Sequence, residues 1–187
     1  MRAVRCPEGI PTVVDVPEPT GDGVLVTMAS AGICGSDLHL LSFSLPATFG
    51  HEFAGTLADG TPVAVEPIDP CHVCDACTDG NTQLCVRGPS MAFGVGRDGG
   101  MAEKVLVPTS SIARLPVGVE ASNGCLVEPL AVAVHGVRRG NIRGSHRVAV
   151  IGGGTIGQTA LVVAQQTGAK VDLSARHERQ IEAATRL

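Results

Sequence analysis

The chain has 187 residues, 44% hydrophobic and 17% charged, with a formal net charge of −4. That composition supports a buried core and speaks against disorder. The absence of any Lys/Arg cluster of five or more argues against nucleic acid or an anionic membrane surface as the main partner.

The N-terminus, Met1 to Pro7, lacks the apolar stretch of a signal peptide, and the longest apolar runs (Val148–Ile151, Ala160–Ala164) are too short to span a bilayer. The cytoplasm is therefore the expected location. Gly is abundant at 24 residues, Pro reaches 12, and Trp and Tyr are absent, which suggests many turns and short β-branched strands. In a reducing cytosol the seven cysteines are not expected to form disulfides, so the clustered ones read as metal ligands or catalytic groups.

In chain order, Thr12–Val16 and Gly23–Ala29 read as strands separated by Pro and Gly turns. Residues 31–41 read as a turn into a short helix capped by Ser36 or Asp37. Residues 50–68 return to short strands punctuated by Asp59-Gly60-Thr61-Pro62. Residues 70–90 are rich in Cys, Asp and Gly, a loop that needs something other than an apolar core to order it, and 101–115 read as strand again.

From about residue 124 the pattern changes. Leu126–Val137 reads as an Ala-rich helix and Arg147–Ile151 as an apolar strand. Thr155–Thr167 reads as a helix with Ile156, Ala160, Val163 and Ala164 on its apolar face and Gly168 just past its end. Val171–Ser174 is a second strand and Glu178–Leu187 a further helix, so an irregular β-rich portion precedes a βαβα run.

The strongest chemical signal is Cys71-x-x-Cys74-x-x-Cys77-x7-Cys85. Four thiolates at this spacing converge on one tetrahedral ion, with zinc the usual occupant and an iron–sulfur cluster the alternative. A closed set of four thiolates leaves no open coordination position, so its role is structural. A second signal is dispersed: Cys34, His51-Glu52 and Glu128. One thiolate, one imidazole and one carboxylate make a three-ligand site with an open position, the catalytic arrangement for zinc. Taken singly, His51 also reads as a structural His in a Gly-rich turn, and Glu128 as an acid at a helix start.

A third signal is Gly152-Gly153-Gly154-Thr155-Ile156-Gly157, which follows an apolar strand and opens a helix. In that context Gly152 permits the tight turn, Gly154 lets backbone approach a pyrophosphate, and Gly157 lets helix pack on strand. The amides at the helix start, Thr155 and Ile156 among them, face the phosphates.

In this order, Cys34-Gly-Ser36-Asp37-x-His39, Gly50-His51-Glu52-x-x-Gly55, the four-Cys lobe, Glu128-Pro129 and the Gly-rich turn resemble the zinc-containing medium-chain dehydrogenases, along the whole chain. The similarity is greatest to the sorbitol, threonine and butanediol dehydrogenase branch, where the third protein ligand is Glu rather than Cys. The resemblance implies Cys34, His51 and Glu128 as ligands of a catalytic zinc and Glu52 as a mobile acid beside it. It implies Ser36 as the hydroxyl that takes the substrate proton, His39 as the outer end of that relay, and Asp37 as the carboxylate that orients His51. Cys125 reads as a bystander. The bland readings are a helix cap for Ser36 and Asp37 and a surface His for His39.

It further implies two zinc ions per chain, an alcohol or polyol substrate, and a homo-oligomeric full-length protein. The expected fold is a GroES-like β-barrel domain over residues 1–145, followed by an incomplete Rossmann domain over 146–187.

Relatives that use NAD place an acid near the position of Ala175 here, and Asp172 falls too early. Ser174, Arg176 and Arg179 suit a 2′-phosphate instead, so NADP is favoured over NAD. Arg176 and Arg179 also read as mere decoration of the next helix. The segment from Thr56 to Val63 is shorter than the family's usual strand–turn–strand. Room for only two strands after Arg147 suggests an N-terminal fragment, inactive and poorly stable alone. The rival reading is a non-enzymatic zinc-binding module or regulatory fragment.

Overall fold

The structure is a computed structural model that describes residues 1–187. It divides into two compact units, Met1–Glu128 and Pro129–Leu187. This division falls upstream of the 145/146 boundary expected from sequence, inside a helix that composition alone shows no reason to split.

In the first unit, β1 (Arg2–Arg5) pairs antiparallel with β2 (Thr12–Asp15). A five-stranded antiparallel sheet is built from β3 (Val24–Ala31), β4 (Phe53–Thr56), β5 (Pro62–Val65), β6 (Lys104–Val107) and β7 (Ile112–Arg114), in the order β6-β3-β4-β5-β7. Alternation along these strands sends Val26, Phe53, Val63, Val65, Val105 and Val107 to one buried cluster with Phe93. Phe53 and Phe93 meet edge to face, with centroids 5.6 Å apart. The shortened segment after Gly55 is a tight hairpin: the Leu57 N–H donates to the Thr61 carbonyl at 3.0 Å, and Gly60 takes a φ of 83°.

Short helices punctuate the irregular parts: α1 (Gly35–Leu40), α2 (Asp75–Thr78) and α3 (Gly88–Met91), and α4 spans Val127–Arg139. The residue that caps α1 is Cys34, not Ser36 or Asp37. Asp37 lies three residues into the turn and accepts the Cys34 N–H at 2.8 Å. Local spacing suits a cap at any of these residues; only the direction of the Asp37 carboxylate decides.

The second unit holds β8 (Arg147–Ile151), α5 (Thr155–Gln166), β9 (Lys170–Ser174) and α6 (Glu178–Ala184). β8 and β9 are parallel and in register from Arg147↔Lys170 to Ile151↔Ser174. Parallel strands require a crossover, and α5 supplies it. Leu161 and Ala164 bury the inner face of α5, while Ile156, expected on that face, is 48% exposed in the first turn. Gly168 takes a φ of 84° just past the helix, as a C′ glycine should. The first unit is thus built on one antiparallel sheet, and the second on two parallel strands joined by a helical crossover, as at the start of a doubly wound α/β fold. No helix is long and apolar enough to cross a membrane.

Candidate functional site

The four-Cys lobe gathers around α2. Cys71, Cys74, Cys77 and Cys85 present sulfur atoms that all lie within 4.8 Å of one another. The Cys74–Cys77 sulfurs are 3.5 Å apart and the Cys71–Cys77 sulfurs 3.9 Å. A tetrahedral ion with metal–sulfur bonds of about 2.3 Å needs sulfurs about 3.8 Å apart, so the set fits zinc.

The local backbone is bent toward that end. His72 sits at a φ of 57°, and the Cys71 amide points at the Cys85 sulfur at 3.4 Å. Amides of Val73 and Cys74 lower the Cys71 thiol pKa, those of Val86 and Cys77 lower that of Cys74, and those of Cys71 and Arg87 lower that of Cys85. Cys77 is pushed up to about 12, first by desolvation and then by hydrogen bonding to Cys74. Backbone amides thus favour the thiolate form at Cys71, Cys74 and Cys85, while Cys77 holds its proton more tightly, and a bound cation would favour the thiolate at all four.

A second group forms between α1 and the start of β4. Cys34, His51 and Glu52 bring one ligand atom each within 4.8 Å of one another, with Glu52 buried. Backbone bonds brace the turn that carries His51. The Phe49 N–H donates to the Val4 carbonyl at 3.0 Å, the Met101 N–H to the Phe49 carbonyl at 2.8 Å, and the Gly100 N–H to the Gly50 carbonyl at 2.9 Å.

Asp37 serves both neighbours. Its Oδ2 accepts the Cys34 N–H, and its Oδ1 lies 3.3 Å from His51 Nδ1. The alignment of that second contact falls short of a full hydrogen bond, which leaves a buried acceptor and a buried ring nitrogen facing each other. Asp37 raises the His51 pKa to about 9; burial opposes the rise, and Cys34 adds to it. With Nδ1 turned to Asp37, Nε2 is the nitrogen left to face an ion, and Ser36 Oγ lies 3.4 Å from it. Soft thiolate, imidazole and carboxylate together suit zinc.

Glu128 is not among these three closest groups. It is half-buried at the start of α4, near enough to His51 and Glu52 to feel their charge. Burial raises its pKa first; the charge of His51 opposes that, and the charge of Glu52 adds to it. His39 is exposed, and its ring lies 6.0 Å from that of Phe43.

Ser30 has no motif around it, and nothing in its sequence surroundings points to a role. At the bulge of β3 its hydroxyl donates to the Ala121 carbonyl at 2.6 Å and accepts the Cys125 N–H at 3.2 Å. That clip holds to the sheet the turn leading to Glu128.

In the second unit Gly152 takes a φ of 111° immediately after β8, and its N–H donates to the Ser174 carbonyl at 2.9 Å. A Cβ on Gly157 would strike the Gly152 carbonyl, whereas one on Gly154 would meet open space. So Gly157 is there for close packing, and Gly154 leaves its surroundings clear at the helix start. The N–H groups of Thr155, Ile156 and Gly157 have no partner within α5 by helix geometry. Ser174, Arg176 and Arg179 are exposed around the end of β9.

The family model of the alcohol dehydrogenase GroES-like domain matches residues 20–117, more than half of the chain. The chain belongs to that family. Its relatives place it among the zinc-containing medium-chain dehydrogenases.

The 2-dehydro-3-deoxy-L-galactonate 5-dehydrogenase of Pseudoalteromonas atlantica is 34% identical over 90% of this chain and 54% of its own length. The L-galactonate-5-dehydrogenase of Escherichia coli strain K12 is 36% identical over 84% of this chain and 50% of its own. A Sinorhizobium meliloti chain described as a zinc-binding dehydrogenase, solved with NADP, superposes with a TM-score of 0.88 at 35% identity. That alignment covers 99% of this chain and 59% of the other. Both NADP and NAD occur in solved structures of similar chains. The chain spans about half the length of the curated relatives it matches.

Proposed function

We propose that this chain is the zinc-bearing part of a dehydrogenase that transfers hydride between a secondary alcohol or polyol and NADP. The observation that carries the reading is the convergence of Cys34, His51 and Glu52, with the Asp37 carboxylate behind His51. Cys34, His51 and Glu128 hold the catalytic zinc, and Glu52 is the acid beside it. Cys71, Cys74, Cys77 and Cys85 hold the structural one. Zinc, when bound, supplies a Lewis acid that makes an alcohol hydroxyl more acidic.

The chain's own residues handle the proton. Ser36, exposed at the mouth of the group, holds the proton leaving the alcohol, and His39 on the same helix passes it to solvent. Asp37 keeps His51 in one tautomer and one orientation, so Nε2 stays available. The half-buried Glu128 stays uncharged more readily than a surface acid, and a cation nearby favours its ionised form.

The turn from Gly152 to Gly157 receives a pyrophosphate, with Thr155 and Ile156 amides at the helix start. Ser174, Arg176 and Arg179 meet a 2′-phosphate, which supports NADP over NAD. Both named relatives act, by their names, on galactonate-type sugar acids, which supports a polyhydroxylated substrate for this site. Reduced cysteines are needed for both metal sites, which supports the cytoplasm as the compartment. Residues 146–187 hold two parallel strands, too few to seat both halves of a dinucleotide, so these residues alone are proposed not to turn over.

The test is metal analysis of the purified chain with Cys34→Ser and Cys74→Ser variants beside it. Two zincs in the parent and one in each variant support the reading. A single zinc that only Cys74→Ser removes points instead to a structural zinc module.

A further inference from the structure

Gly32 lies two residues before Cys34, and its N–H donates to the Glu52 carbonyl at 2.7 Å. Its backbone does not occupy the left-handed region, so an L side chain is allowed there on conformational grounds. Space is what the position lacks. A Cβ on Gly32 would collide with Glu52 Oε2 and would stand 3.1 Å from Glu52 Cβ and 3.3 Å from its carboxyl carbon. Glu52 is buried, with a relative exposure of 7%, and the atom in the way is the free end of its side chain, so the carboxylate is what must shift.

We infer that Gly32 is a positioning residue: its missing side chain is the notch that seats the Glu52 carboxylate beside Cys34 and His51. Any side chain at position 32 forces that carboxylate out of the group, while Cys34 and the backbone bond to Glu52 remain. The inference rests on the reading of Cys34, His51 and Glu52 as the surroundings of a zinc ion. It adds the prediction that the choice of residue at 32 sets how the acid stands toward the metal. Gly32 touches neither substrate nor cofactor and acts only through Glu52.

The test is a double-mutant cycle with Gly32→Ala and Glu52→Ala, read by metal retention against graded chelator and by the visible absorption of the cobalt(II)-substituted protein. Gly32→Ala is expected to weaken retention of one of two metals by about 10- to 100-fold, the range for loss of a group that supports a metal site. It is also expected to change the cobalt spectrum. In the Glu52→Ala background the same substitution should change neither. If Gly32→Ala behaves as the parent, or alters the spectrum equally in both backgrounds, the inference is overturned. A parent chain that retains fewer than two metals overturns the reading beneath it as well, so the two failures are told apart.

Discussion

Asp37 Oδ1 lies 3.3 Å from His51 Nδ1, and the second oxygen of the same carboxylate accepts the Cys34 N–H at 2.8 Å. One buried acid thus orients two groups of the candidate metal site. Asp37→Ala removes both contacts, leaves the Cys34 N–H without its acceptor and frees the His51 ring. Loss of such a supporting group weakens metal binding by about 10- to 100-fold. An unpaired buried donor costs about 1–3 kcal/mol of stability. Chelator titration and urea unfolding of the variant check the two effects separately; unchanged metal affinity would contradict the orienting role.

The four-Cys lobe should come apart when its ion is removed. Its residues have little apolar burial of their own, and metal binding would supply the ordering free energy. Chelation, or Cys74→Ser, is expected to expose residues 71–91 to limited proteolysis while the five-stranded sheet keeps its circular dichroism. Because the Cys77 thiol is pushed up to about 12, binding releases its proton, and zinc affinity should rise with pH between 6 and 8 by at least about tenfold per unit. A lobe equally resistant with and without zinc would argue against an ordering ion.

Glu103 ties β1 to the rest of the first unit. Its carboxylate accepts the Arg2 backbone N–H at 3.0 Å and the Arg2 side chain at 2.9 Å. These contacts lower its pKa from 4.5, the backbone bond first. A depressed folded pKa gives stability that is present above about pH 4.5 and is lost as pH falls through the folded value. Glu103→Gln should therefore be less stable than the parent at pH 7, and the gap should narrow by pH 3. The pair is exposed, so the effect is small. Thermal midpoints at both pH values measure it; a constant gap would contradict the assignment.

Cofactor choice should be readable from fragments of the nucleotide. Arg176→Ala is expected to cut the affinity for 2′,5′-ADP by about 10- to 100-fold, the worth of one charge-assisted bond of about 1.5–3 kcal/mol. Its affinity for 5′-ADP should hardly change. Calorimetry on the parent and the variant decides it, and equal parent affinity for the two ligands would count against NADP.

The sequence was most informative where chemistry is local. Four cysteines within fifteen residues, and a Gly-rich turn between a strand and a helix, carry their geometry in their spacing. The Val-rich alternation of β3 and β6 likewise shows which side chains form the core. Groupings that depend on long-range contact were less legible. Adjacency in the chain puts Glu52 beside His51, but nothing in the spacing shows how near Cys34 or Glu128 comes to that pair; that depends on how the chain folds between them. Ser30 and Gly32 carry no motif because their roles are a clip to residues 121 and 125 and a notch for residue 52. The cap of α1 went to Cys34 for a related reason, since any of three polar residues fits the local pattern.

Two separate zinc sites in one chain are the core of the proposed function. Zinc content per chain, measured by plasma mass spectrometry on protein purified under reducing conditions, is the decisive quantity. Two zinc ions are expected in the parent, with one lost in Cys34→Ser and the other in Cys74→Ser. Parent protein that carries no zinc, or retains two in both variants, would contradict it.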